Sequence, residues 1–115
     1  MTLDQFYRAV GGTAAASAPR LGGADATRRF LRLFPLDDSF PQLSEALGRG
    51  DVQTAFRAAH TLKGVAANLG LEQLRSLASD MTECLRRGEL SGAQARLAET
   101  ETAYRQVLAA LEELE

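Results

Sequence analysis

Few residues in this 115-residue chain could do covalent chemistry, and the clearest is its one histidine, His60. On a helix turning about 100° per residue, Val52, Ala55, Phe56, Ala59, Leu62, Ala66 and Leu69 fall on one apolar stripe, with His60 roughly 120° from its centre. The imidazole is therefore expected to face water. An exposed imidazole has an ordinary pKa of about 6.5, so it is largely neutral near pH 7 and its unprotonated nitrogen is a nucleophile.

One or two helical turns from His60, on the same face, lie Gln53, Arg57, Gly64 and Ala67. Gly64 is out of place, because glycine inside a helix costs about 1 kcal/mol relative to alanine. A helix that keeps it one turn after the histidine points to a need for bare backbone. Since the wheel turns Gly64 outward, the approach of a partner accounts for it better than close packing by another helix of the same chain. Lys63 is the single lysine among 13 basic side chains. It sits between the stripe and His60, so its stem can cover the core rim while its ammonium reaches outward. A cation so close to the ring favours an anion there, such as a phosphoryl group; the plain alternative is a solvated surface lysine. A hydrolase would need a base, an orienting carboxylate and an oxyanion site in a pocket, and none is visible. A flat platform suits instead a residue that carries a group between the active sites of other proteins. No GxxxxGK(S/T) phosphate loop occurs, so there is no sign of an ATP site or of kinase activity.

Composition narrows the frame. With 13 basic and 15 acidic side chains and a net charge of −2, a general nucleic-acid binder is disfavoured. One histidine and one cysteine disfavour the usual zinc constellations, so no metal and no cofactor are expected. Cys84 has no internal bridging partner and, beside Met81 and Leu85, reads as a small core residue. No apolar run approaches the roughly 20 residues that span a bilayer, and no signal segment is seen, so the expectation is a cytoplasmic protein off the membrane. Leucine, alanine, arginine and glutamate dominate while aromatics are only 6%, which favours helices over strands.

The elements that would position His60 follow from start and stop signals. Leu3, Phe6, Tyr7 and Val10 predict a short helix stopped by Gly11-Gly12, and residues 11–23 read as a flexible linker in which a helical turn over 13–18 is left open. Residues 1–23 are thus set apart from a bundle domain at 24–115. A helix from about Asp25 carries Phe30, Leu31 and Phe34 toward the core and ends at Pro35. Asp38-Ser39-Phe40-Pro41 is the next start signal, a capping side chain ahead of a proline suited to the first turn, with Leu43, Ala46 and Leu47 buried and Gly48 and Gly50 closing the helix. Asp51 caps the His60 helix, about 28 Å long and ended by Gly70. A fourth segment carries Leu71, Leu74, Leu77, Ala78, Met81 and Leu85 and closes at Arg86-Arg87-Gly88; a fifth opens at Ser91 and runs through Leu97, Tyr104, Val107, Leu108, Leu111 and Leu114. Short links between amphipathic helices require antiparallel neighbours. The predicted fold is all-α, an up-down antiparallel four-helix bundle with an additional N-terminal helix capping one end. A monomer is expected, since no long apolar seam is left over.

The run Ala59-His60-Thr61-Leu62-Lys63-Gly64-Val65-Ala66-Ala67-Asn68-Leu69-Gly70 resembles the signature of histidine phosphotransfer (HPt) domains, and the likeness extends from Phe30 to about Gly88. The resemblance implies a helical bundle that works without ATP and is not itself an enzyme. His60 would accept a phosphoryl group from the aspartyl phosphate of one response-regulator receiver domain and pass it to another, with a hybrid histidine kinase as a further partner. It also implies that Lys63 neighbours the phosphate and that Gly64 admits the receiver. The family often has a small polar residue where this chain has Val65, and an acidic one where it has Thr82. Gln53, Arg57 and Ala67 are candidate docking residues, Arg75 a candidate for orienting an acidic receiver face, and Leu71 and Leu74 candidates for its rim. The rival from another class is a bundle that binds a receiver or kinase as a scaffold or inhibitor and never carries phosphate. Such a protein has no chemical reason to keep a nucleophile on that surface.

Overall fold

The computed structural model describes residues 1–12 and 21–115. The helical turn left open over residues 13–18 lies outside the described residues. The order is α1 (Leu3–Ala9), α2 (Ala24–Leu33), a 3-10 turn (Phe34–Leu36), α3 (Ser39–Arg49), α4 (Val52–Leu69), α5 (Glu72–Arg86), α6 (Leu90–Ala95) and α7 (Leu97–Glu112). Helices α3, α4, α5 and α7 form the up-down bundle, and α4 packs most extensively, against α5 and α3.

Local chemistry sets the ends of α4. Asp51 accepts the backbone N–H of Thr54 at 3.1 Å, satisfying one of the donors a helix start leaves open. At the other end Gly70 takes a left-handed φ of 74°, which lets the Leu71 N–H return to the Ala66 carbonyl at 2.9 Å. Between these ends Ala55, Ala59, Leu62 and Ala66 are fully buried, and Ala58 and Leu69 nearly so. The alanines let the flanking helices come close. Val52 and Phe56, at the edge of the stripe, are only partly buried.

The N-terminal helices gather at the end of the bundle where α4 finishes. A capping box at Thr2 and Gln5 starts α1. Although the sequence sets residues 1–23 apart, Leu3, Phe6, Tyr7 and Val10 are buried in the same core as the bundle. The Tyr7 hydroxyl donates to the Leu69 carbonyl at 2.6 Å. Helix α2 lies across this end and touches α4. Its inward residues are Thr27, Leu31 and, in the 3-10 turn, Phe34. Phe30, expected in the core, is instead 45% exposed: Thr27, Leu31 and Phe34 centre the inward face, and Phe30, about 100° round the helix from Leu31, stands at its edge beside Phe34 and lines an open groove.

Two further expectations change. Asp38 stands at the start of α3 but makes no capping bond to its backbone; its carboxylate takes the Gln42 side chain at 2.7 Å. Asp37 does the capping, accepting the Ser39 N–H at 3.1 Å and the Ser39 hydroxyl. The last segment is two helices, not one. At Arg96 the guanidinium donates to the Gly92 carbonyl at 2.9 Å, the acceptor an unbroken helix would offer to the Arg96 amide. That amide turns to Ala93 instead. Gln94 of α6 ties the break to α3 by donating to the Leu47 carbonyl at 2.9 Å.

The Asp51 carboxyl is held below its ordinary value by the Thr54 hydroxyl and then the Thr54 N–H, with smaller help from Arg49 and Arg57. A lowered folded-state pKa gives stability that is present above the unfolded value, about 3.9, and lost as pH falls through the folded one. The expected outcome is that part of the fall in melting temperature below about pH 4 disappears in Asp51→Asn, which keeps a capping oxygen but cannot titrate. Identical acid profiles for the two proteins would remove Asp51 from the account.

Candidate functional site

The seating of α4 in the core decides what its outer face presents. His60 and Gly64 are exposed there, as are Gln53 and Arg57 toward the start of the helix. Lys63 is half-buried, and among the described residues no carboxylate forms an ion pair with it. Its charge is therefore left for whatever binds beside it. Ala67 is half-buried rather than fully outward.

Among the described residues, a Cβ built on Gly64 meets nothing within 4 Å, so none of them demands glycine there. That removes close intramolecular packing as the reason for the residue. The backbone is bare toward solvent, one turn from the imidazole.

The sequence reading missed what stands beside His60. Its ring lies nearly parallel to that of Phe56, with centroids 6.1 Å apart and planes 9° from one another. The guanidinium carbon of Arg86, the last residue of α5, sits 5.1 Å from the Phe56 centroid. Phe56 and Arg86 join Val52, Gln53, Arg57 and Leu85 around an open groove of about 400 Å³. The i, i+4 spacing of Phe56 and His60 was a usable signal; the contribution of Arg86 from another helix was not.

A second groove of similar size lies toward the far end of α4. Phe30, Leu33, Phe34, Leu36, Asp37, Val65, Asn68 and Leu69 surround it. Phe30, Leu33 and Leu36 are 45%, 56% and 80% exposed, large apolar side chains that the core does not use. Asn68 lies two turns beyond His60 on the helix, so this apolar patch continues the histidine face.

Other candidates fall elsewhere. Leu71 and Leu74, expected at a docking rim, are buried in the core and cannot form one. Arg75 pairs with Glu72 at 3.0 Å. Thr82 is fully buried and its hydroxyl donates to the Ala78 carbonyl at 2.7 Å, so it presents no group to the surface. Cys84 is a buried free thiol whose sulfur lies against Gly92. Among the described residues, no helix is long and apolar enough to cross a membrane.

Among the described residues, the arrangement is an exposed nucleophile with Lys63 one turn away and bare backbone at Gly64 beside it, open to an approaching group. Such a group can take part in in-line transfer when the other reactant brings its own electrostatic stabilisation. A family model described as the Hpt domain matches residues 36–115. No curated protein and no solved structure matches the chain.

Gly64→Ala places its methyl group in open space on a regular helix. It is expected to raise folding stability by about 0.5–1 kcal/mol, read by chemical denaturation. A loss of stability would show that the bare backbone serves the fold.

Proposed function

The chain belongs to the Hpt domain family, whose members carry phosphoryl groups on histidine in the phosphorelays of two-component signalling, and we propose that His60 is the carrier residue here. The observation that carries this reading is an exposed imidazole on α4, flanked by the unpaired Lys63 ammonium and the bare backbone of Gly64, within the matched segment.

The donor is an aspartyl phosphate on a response-regulator receiver domain. The unprotonated ring nitrogen attacks phosphorus as the phosphorus–oxygen bond to the aspartate breaks, so the carboxylate leaves with the bonding pair and a phosphorus–nitrogen bond forms. The other ring nitrogen keeps its proton. The receiver's own active site supplies most of the stabilisation of the transferring group, which is why the carrier needs a placed nucleophile rather than a cavity. Lys63 offsets part of the negative charge that arrives on the ring. Reversal onto a second receiver completes the relay, with no ATP and no kinase step in this chain.

The receiver docks over the face that runs from Arg57 through His60 and Gly64 to the apolar patch of Phe30, Leu33 and Leu36. Gln53 and Arg57 orient it from the start of α4, and Ala67 with Gly64 keeps the approach low. A hybrid histidine kinase reaches this protein through its own receiver domain. The carrier works as a monomer in the cytoplasm, where its receivers are.

Phosphoryl transfer from a receiver domain charged with acetyl phosphate tests the assignment. Wild type is expected to gain acid-labile, alkali-stable label, and His60→Gln none. Lys63→Ala is expected to slow labelling or shorten its lifetime while the bundle stays folded by circular dichroism. Equal labelling of His60→Gln would overturn the site; stable receiver binding without label in wild type would favour a docking or inhibitory protein instead. Leu36→Glu is expected to raise the half-saturating receiver concentration by about tenfold, equivalent to about 1.4 kcal/mol, with the saturated rate kept. An unchanged half-saturation would take the apolar patch out of the interface.

A further inference from the structure

We propose that Phe56 is a positioning residue for His60, and that Arg86 holds Phe56 in place for that task. The inference rests on the reading of His60 as the phosphoryl acceptor and adds to it the reason an exposed ring can be aimed. A side chain in water changes rotamer in picoseconds to nanoseconds, whereas in-line transfer needs the ring nitrogen pointed at phosphorus at the moment of encounter.

Among the described residues His60 makes no hydrogen bond that would hold the ring, and its contact with Phe56 is the ring contact it does make. A centroid separation of 6.1 Å with planes 9° apart lies within the range of favourable offset stacking. Phe56 can serve as the anchor because it is itself partly buried against the core while its ring lies nearly parallel to the imidazole. Arg86 comes from α5 and lies 5.1 Å from the Phe56 centroid, inside the roughly 6 Å reach of a cation over an aromatic ring. Glu83 pairs with Arg86 at 3.3 Å, one turn earlier on the same helix. Glu83, Arg86, Phe56 and His60 thus form a continuous line of contacts from α5 to the ring. The stack engages the face of the imidazole and leaves the nitrogens at its edge open to the incoming group.

The test separates aiming from docking and from folding. Phe56→Leu keeps apolar bulk and removes the flat face; Phe56→Tyr keeps the face. Single-turnover transfer is measured against rising concentrations of a receiver domain phosphorylated by acetyl phosphate. Phe56→Leu is expected to lower the saturated rate by about three- to tenfold, at most about 1.4 kcal/mol, with the half-saturating concentration unchanged. Phe56→Tyr is expected to restore the rate. Arg86→Gln should slow wild type less than Phe56→Leu does and add nothing in the Phe56→Leu background, as two residues acting through one contact require. If Phe56→Leu unfolds the bundle, Arg86→Gln, at an exposed position, carries the test through the same split of rate from half-saturation. An unchanged saturated rate, a loss confined to half-saturation, or failure of tyrosine to restore the rate would overturn the positioning role while leaving His60 as acceptor. Absence of label in wild type would overturn both.

Discussion

The rotation of α4 about its own axis is the constraint on which the surface chemistry depends. Ala55, Ala59, Leu62 and Ala66 are fully buried between α3 and α5, and turning the helix to bury His60 would bring these residues toward water. Exposing Leu62 and Leu69 alone would forfeit about 1.5–3 kcal/mol each. That exceeds the roughly 1 kcal/mol that Gly64 costs the helix. Burial of the stripe can therefore hold both an outward imidazole and an odd glycine beside it.

From this follows the division of labour in an Hpt domain such as this one. On the proposed reading the bundle supplies direction, through a helix capped at both ends, and the electrostatic work of transfer falls to the visiting protein. What surrounds the ring is accordingly open: bare backbone at Gly64, the ammonium of Lys63, and a groove on either side along α4. The two grooves differ in character. The one near the start of α4 carries Arg57 and Arg86 over an apolar floor, and the one near its end is dominated by Phe30, Leu33 and Leu36. A receiver that meets both would be oriented by charge at one end and gripped by apolar contact at the other.

Much of this was legible in the residue order, and the reasons are local. The ends of α4 are written by Asp51 and Gly70, and α3 and α5 lead into left-handed glycines at Gly50 and Gly88, residues whose conformational role is the same in any fold. The exposure of His60 followed from periodicity alone. Reading failed where several solutions fit one pattern. Apolar residues at Phe30, Leu31, Leu33, Phe34 and Leu36 allow more than one inward face, and only packing against the bundle end chose Leu31 and Phe34. The break at Arg96 carries no proline; there the Arg96 amide bonds Ala93 while its guanidinium takes the Gly92 carbonyl, a pairing no spacing rule reveals. Leu71 and Leu74, which the pattern offers both to the core and to a docking rim, are taken entirely by the core, while Phe30, Leu33 and Leu36 are left exposed. The Arg86 contact joins two helices and had no signature in either.

Phosphorus NMR of the protein after exposure to a phosphorylated receiver examines the central claim without any substitution, because the chain has one histidine. The account requires a phosphoramidate resonance coupled to the ring protons of that single imidazole, appearing as the aspartyl phosphate signal declines. A folded protein that binds the receiver while its imidazole protons show no coupling to phosphorus would contradict it.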